Sequence, residues 1–177
     1  KAWIENGGTF LSIGTACEFV ADQKWADIQL ISKSVKSAER RPFALAQDDA
    51  AKRRITGAIV QTNVDVTHPL AFGLRATLPM MRDHVTCIHP ARDPYSTPLV
   101  YSSKPLLCGY VSQENLDSIS DSAAVIARTM GKGRVIVIAD DPNYRAFWYG
   151  TNRLFWNAIF FGPLVRGAAM TETDAHE

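Results

Sequence analysis

The sequence has few of the residues that build a metal site or a disulfide framework. Its 177 residues include 4 histidines and 3 cysteines, and no histidine begins a His-x-x-Glu or His-Glu-x-x-His zinc motif. Cys87 and His89 alternate as neighbours on a strand would, but two side chains do not hold an ion. The cysteines form no CxxC pair, and their odd number argues against a disulfide framework. We therefore predict no metal site and no cofactor in this chain, and three buried thiols.

The chain also lacks a charge excess and a long apolar run. Nineteen basic residues against 18 acidic ones give a net charge of +1, which offers no electrostatic argument for nucleic acid or an anionic membrane surface. No apolar run approaches the roughly 20 residues that span a bilayer. We therefore expect neither a nucleic-acid partner nor a membrane span. No signal peptide is visible, but the chain begins at Lys1 without a methionine, so we expect it to be a piece of a longer protein.

Length and composition indicate one globular domain. A hydrophobic content of 46% is ordinary for a packed core, and we predict a domain over residues 1–170 with a frayed tail at Thr171–Glu177. The polar section Ser32–Arg54 is predicted to be an exposed excursion with one short helix at Ala44–Lys52. Its basic residues could bind an acidic partner, but interspersed acids favour a solvated loop.

One stretch organises the rest of the prediction, Arg134–Gly162. Val135–Ala139 is continuously apolar, which predicts a strand buried on both faces. The turn Asp140–Asn143 carries helix-start chemistry, because Asp and Asn accept free N–H groups of a first turn and proline suits that turn. About twenty residues without a strong breaker then predict a helix so apolar that it must be covered on most sides. Its expected inward face consists of Phe147, Leu154, Phe155, Ala158 and Ile159.

The remaining elements are shorter. A helix end at Lys1–Gly8 and a tight turn at Gly14–Ala16 flank a strand at Thr9–Ile13, and a helix is predicted over Cys17–Ile31. Met130–Gly133 is predicted to be a hairpin turn, because glycines separate two β-rich runs. A turn is expected at Thr67–Leu74 and a polar loop at Asn115–Ser122. Further strands are expected at Ile55–Val66, His84–Ile88, Leu99–Ser102, Leu106–Val111 and Ala123–Thr129.

The first turn has the outline of a nucleophile elbow without a nucleophile. A strand, a sharp turn and a helix commonly expose an activated Ser or Cys at a sheet edge, but the tip here is Gly14. Thr15 and Cys17 lie nearby, and no histidine base stands at the later strand end, where Asp140 and Asp141 lie. An active hydrolase or amidotransferase that uses Thr15 or Cys17 with one of these aspartates stays open as an alternative.

Four stretches resemble a known family: Trp3–Ala16, Val64–Leu74, Pro105–Asn115 and Gly131–Gly162. Together they are similar to the C-terminal domain appended to certain bacterial zinc carboxypeptidases of the carboxypeptidase A type. That domain resembles class I glutamine amidotransferases, which implies a flavodoxin-like three-layer α/β/α fold. The family's domain usually has strands before the first of these stretches, so we expect this chain to lack them. The family's catalytic cysteine would fall at Gly14, and its histidine at Asp140-Asp141.

The resemblance therefore implies a degenerate, non-catalytic domain. Zinc would belong to an upstream peptidase domain of the same polypeptide, which would also be the partner of this chain, and an exported or periplasmic bacterial protein would be expected. A homodimer through the apolar helix is the alternative assembly role.

A ligand pocket, if one is kept, should lie at the carboxyl ends of the two strands. Free N–H groups at the helix starts would favour an anion, whereas the two aspartates favour a cationic or hydroxyl-rich ligand. Alternatively, these residues form only caps and an ion pair. The candidate ligand-binding residues are Gly14, Thr15, Asp140, Asp141, Asn143 and Arg145.

Overall fold

The structure is a computed structural model that describes residues 1–31 and 40–167. The predicted tail at Thr171–Glu177 and part of the polar excursion, residues 32–39, lie outside these ranges. The strands are β1 (Thr9–Ile13), β2 (Ala58–Val64), β3 (Thr77–Arg82), β4 (Leu99–Gly109), β5 (Ala123–Met130) and β6 (Gly133–Ile138). The α-helices are α1 (Ala2–Glu5), α2 (Cys17–Asp22), α3 (Ala46–Lys52), α4 (Gln113–Ile119) and α5 (Asn152–Phe161). Among the described helices, none is both long and apolar enough to cross a bilayer.

The six strands form one mixed sheet in the order β1-β6-β5-β4-β2-β3. β1 and β6 run parallel with Ile13 opposite Ile138, and the other neighbouring pairs are antiparallel. The protein is therefore a mixed α/β fold. Since paired parallel strands end at the same edge, the turns after β1 and β6 lie side by side, as the sequence predicted.

The sheet is curled because β4 outruns β5. The two strands pair at Leu99–Val125 and Val100–Ala123, whereas β4 continues along β2 to Gly109. Register irregularities interrupt the β2–β4 ladder, and such bulges increase local twist. The curl brings Arg82, at the end of edge strand β3, against Asp140, which lies just after β6.

β6 is buried on both faces, which confirms the prediction from its continuous apolar run. Ile136 and Ile138 pack into the core cluster that also contains Leu99, Tyr101 and Leu154. Alternate residues of the strand face a second cluster, formed with Cys17, Val20, Ile28 and Ile88 from α2 and two loops. The described core therefore lies on both sides of β6, and that strand is the centre of the fold.

Several predicted elements are confirmed: the strand Thr9–Ile13, the hairpin at Met130–Gly133 and the short helix before Arg53. The predicted strand at His84–Ile88 is wrong, since the strand is Thr77–Arg82. The two short strands at Leu99–Ser102 and Leu106–Val111 are one strand. In both places a proline misled the sequence analysis. Pro79 lies on the edge strand β3, and Pro105 lies in the part of β4 that extends past its pairing with β5. In both places one side of the strand has no partner strand, so a missing N–H group removes no ladder hydrogen bond on that side.

Three helix predictions also need correction. The loop predicted at Asn115–Ser122 is mostly α4, and the helix predicted over Cys17–Ile31 ends at Asp22. The long helix predicted after Pro142 begins only at Asn152, because Arg145 and Ala146 take left-handed backbone angles that interrupt helical geometry. Its predicted inward face is only partly right: Leu154 and Ala158 are buried and Phe155 is half-buried, whereas Phe147 and Ile159 are exposed.

Candidate functional site

The turn after β1 has the backbone geometry of an elbow. Gly14 has φ +60°, and a side chain added at its Cα would have no atom within 4 Å. A short 3₁₀ turn, Gly14–Ala16, then leads into α2. The position is thus open and strained in the way that a nucleophile elbow is, but glycine presents no reactive group there.

The strand end beside this elbow holds a buried ion pair. Asp140, 1% exposed, accepts a hydrogen bond from Arg82 at 2.9 Å, and the Arg82 side chain is fully buried. The Tyr101 hydroxyl donates to the other carboxylate oxygen of Asp140 at 2.6 Å and accepts from Arg82 at 2.9 Å. The Nε2 atom of His84 lies 3.4 Å from the carboxylate. Asp140 therefore forms part of an ion pair, but with Arg82 rather than with a residue of its own turn.

These contacts decide the charge states of the cluster. Burial alone would raise the pKa of Asp140, but the Arg82 charge and the hydrogen bonds from His84 and Tyr101 bring that pKa below its ordinary value. Burial, followed by the Asp140 charge, raises the pKa of Tyr101 well above its ordinary value. Asp140 is therefore ionised and Tyr101 protonated at neutral pH, which suits a structural network and provides no free base.

Residues 83–89 cover the edge where a ligand pocket was predicted. His84 donates from Nε2 to the Ala139 carbonyl at 2.8 Å, and Thr86 donates to the Glu18 carboxylate at 2.6 Å. The segment therefore reaches from the helix after β1 to the end of β6. Backbone hydrogen bonds from Ile31 to Cys87 and from Ala123 to Ile88 fix it further. Since Ile88 is a core residue, the covering segment is a packed part of the fold.

Cys17 is a poor nucleophile in this setting. Its side chain is fully buried. Burial, followed by the neighbouring Glu18 carboxylate, raises the pKa of the thiol to about 11. A thiol with such a pKa carries almost no thiolate at neutral pH. Burial of Cys17 and Cys87 agrees with the sequence prediction, whereas Cys108 is exposed, so that part of the prediction is wrong.

The other candidate residues lie near the same edge with different exposures. Thr15 and Arg145 are exposed, and Asp141 and Asn143 are half-buried. The Asn143 amide donates to the Asp141 carboxylate at 2.9 Å, so Asp141 closes its own turn and does not cap α5, which begins eleven residues later at Asn152. The Arg145 guanidinium stacks over the Tyr144 ring at 5.1 Å. The edge thus keeps an exposed hydroxyl and an exposed cation.

Sequence analysis missed Arg82, His84 and Tyr101. A signal for Arg82 was present, because it continues the alternation of Leu78 and Met80 towards the core. That signal could be used only after β3 had been recognised. Nothing in the spacing of the residues indicates that Tyr101 and Asp140 meet, since 39 residues separate them.

Grooves occur elsewhere on the described surface. One, of about 370 Å³, lies between β4 and α4. Another, of about 520 Å³, lies along the aromatic side of α5. In residues 1–31 and 40–167, no three His, Cys, Asp or Glu side chains group as a metal site requires.

Comparison with known proteins gives one distant similarity. No protein-family model matches the chain, and a search of curated proteins found no match. Among solved structures, a ThuA-like protein from Parabacteroides merdae is similar, with a TM-score of 0.48 and 13% sequence identity. The similarity covers 78% of this chain, which spans about half (51%) of that protein's length. A likeness at this level assigns no function.

Proposed function

We propose that this chain is a non-catalytic accessory domain of a zinc carboxypeptidase-like protein, with a degenerate class I glutamine amidotransferase-like fold. The observation that carries the proposal is the pair of neighbouring turns. One has an elbow with glycine at its tip, and the other has a buried aspartate held by Arg82. An acyl-transfer enzyme needs a nucleophile and a base within hydrogen-bond reach of each other. Here the tip of the elbow carries no side chain, and the Asp140 carboxylate is engaged by Arg82.

The finer fold proposal is a flavodoxin-like three-layer arrangement. Two features support it. β1 and β6 pair in parallel, and β6 is buried on both faces. Within the described ranges β1 has no strand on its outer side. In the proposed fold, further parallel strands would continue the sheet at that edge, as the sequence resemblance implies.

The carboxypeptidase context rests on the resemblance of the stretches around β1, β4 and the segment from Gly131 to Gly162. In this context zinc is held by an upstream peptidase domain, and the protein is exported. This chain would contribute a packing surface for that domain, or a weak ligand site at the exposed Thr15 and Arg145. Finding a peptidase domain with a His-x-x-Glu motif encoded upstream of Lys1 tests the context directly.

The alternative of an active hydrolase or amidotransferase uses Thr15 or Cys17 as its nucleophile, and cysteine labelling tests the Cys17 form of that alternative. We expect iodoacetamide at pH 7 to modify Cys108 and to leave Cys17 and Cys87 unmodified in the folded chain, because burial denies access and keeps Cys17 protonated. An electrophilic glutamine analogue should likewise leave Cys17 unmodified. Peptide mass spectrometry reads out each site.

A Gly14→Cys variant provides the matched control. Its thiol would stand at the open elbow, where no atom lies within 4 Å of the new Cβ, so iodoacetamide should label it as readily as Cys108. Labelling of wild-type Cys17 by the glutamine analogue would overturn the non-catalytic proposal and favour the hydrolase.

A further inference from the structure

The outer side of α5 carries an exposed aromatic face, which we define as Phe72, Tyr149, Trp156 and Phe160 together with Arg153. The four rings are 65%, 74%, 52% and 67% exposed respectively. Trp156 and Phe160 stack with their ring centres 5.8 Å apart and 21° between their planes. They therefore form one continuous apolar plate. The opposite side of the helix, with Leu154 and Ala158, is buried in the core.

The aromatic face is large for a protein surface that contacts only water. At roughly 150–250 Å² for each aromatic side chain, the exposed parts of the four rings amount to about 500 Å². Ile159 and Leu164, which lie on or just after the same helix, are also exposed. An ordinary stable interface buries about 800 Å² on each partner, so the aromatic face alone supplies more than half of the area that a dimer needs.

The amide of Asn157, at the base of the groove, already has hydrogen-bond partners. The Asn157 amide donates to the Leu70 and Phe72 carbonyls at 2.8 and 2.9 Å. The Asn157 amide is therefore not free to orient a small polar ligand, and a second apolar surface could cover it without leaving it unpaired. The Arg153 guanidinium lies against Gly73 at the margin of the groove, so its charge is held beside the rings.

The residues of the aromatic face are spaced along the chain in a pattern that reads the same in both directions. Tyr149, Arg153, Trp156 and Phe160 follow one another at intervals of four, three and four residues. The last three lie on α5 with the spacing of a helix–helix seam, and Tyr149 lies in the 3₁₀ turn that leads into it. A two-fold axis between Arg153 and Trp156 would place Arg153 of one copy opposite Trp156 of the other, and Tyr149 opposite Phe160. Because an isologous interface requires such self-complementarity, a second copy fits this face.

We propose that two copies of this chain associate through the aromatic face of α5, with the helices antiparallel across a two-fold axis. Each Arg153 guanidinium then covers the Trp156 ring of the other copy, where a cation is attracted to the ring face. Aromatic residues and arginine are the side chains that most often dominate binding energy at such contacts. The association is independent of whether the chain has catalytic activity.

The test is the mass of the 177-residue chain in solution. Light scattering coupled to size exclusion, at concentrations on the order of 10 µM, should give twice the chain mass. Trp156→Glu and Phe160→Glu should give single-chain masses, and Trp156→Ala should weaken the dimer about thirtyfold or more. Both side chains are more than half exposed, so circular dichroism should show unchanged folding in these variants.

Tyr95→Glu is the matched control, because Tyr95 is 71% exposed and lies outside the aromatic face; it should remain a dimer. Arg153→Ala and Trp156→Ala should be coupled by about twofold to thirtyfold in Kd in a double-mutant cycle. A single-chain mass for the wild type would overturn the proposal and assign the face to another domain or protein. A dimer that survives Trp156→Glu, or one without that coupling, would overturn the proposed arrangement.

Discussion

Replacing Asp140 by asparagine is expected to lower the free energy of unfolding by about 3–5 kcal/mol. The change keeps the size of the side chain but leaves the guanidinium of Arg82 buried and without its counter-charge. Bulk water does not reach that charge, since the Arg82 side chain is fully buried. Because domains are commonly stable by only about 5–15 kcal/mol, this is a large part of the total. Urea denaturation at pH 7 measures the loss.

Asp141→Asn is the matched control for this variant. Asp141 is half-buried, and its carboxylate accepts one hydrogen bond, from the Asn143 amide, which an asparagine side chain can also accept. We therefore expect a change within about 0.5 kcal/mol. If the two variants lost equal stability, the ion pair would not be what holds β3 to the end of β6.

The difference between wild type and Asp140→Asn should also depend on pH. The pKa of Asp140 is lower in the folded state than its ordinary value. The contribution of Asp140 to the free energy of unfolding is therefore complete when the pH lies above that ordinary pKa. The contribution is lost as the pH falls through the folded-state pKa. The two proteins should therefore approach each other in stability in acid, and a constant difference down to low pH would contradict the assignment.

Replacing Gly133 by alanine is expected to cost about 3 kcal/mol or more of folding stability. Gly133 begins β6 at the hairpin, where a Cβ would overlap the carbonyl oxygens of Ile4 and Gly8. Those oxygens belong to backbone that cannot rotate away as a side chain would. The neighbouring hydrogen bonds from Lys132 to Glu5 and from Arg134 to Gly8, at 2.9 and 3.0 Å, hold the two segments in contact.

Gly150→Ala tests whether the effect comes from close packing rather than from losing a glycine. A Cβ at Gly150 would make only ordinary contact with the Trp148 ring, at 3.8 Å. We expect its stability to stay within about 1 kcal/mol of wild type, with any change favourable, because alanine restricts the unfolded chain. Thermal denaturation of both variants measures the contrast. Similar melting temperatures would show that the backbone at Ile4 and Gly8 moves to accommodate the new Cβ, and would contradict the prediction.

Local pattern was sufficient where local physics decides. The strand Thr9–Ile13, the hairpin at Met130–Gly133 and the doubly buried β6 follow from apolar runs and turn residues, and the structure has all three. The pattern failed at Pro79 and Pro105. A proline excludes a strand only where both edges are paired, and which edges are paired depends on strands distant in sequence.

The predicted helix after Pro142 failed for a related reason. The segment contains no strong helix breaker, but Arg145 and Ala146 take left-handed backbone angles. The Thr151 hydroxyl also donates a hydrogen bond to the Pro142 carbonyl, so the chain forms 3₁₀ turns before α5 begins. The expected cover over most of α5 is missing among the described residues, where Trp156 and Phe160 remain more than half exposed. The apolar content of a helix says that it needs cover, but not whether the same chain supplies it.

At the candidate site the sequence by itself determined which catalytic side chains are missing. Gly14 provides no nucleophile, and no histidine follows the strand that ends before Asp140. Only the tertiary structure decided what the strand ends do instead. The curl of β4, β2 and β3 past the end of β5 brings Arg82 to Asp140, and residues 83–89 then cover the edge. An ion pair between residues 58 positions apart depends on sheet curvature, and curvature results from pairing over the whole sheet rather than from any local sequence pattern.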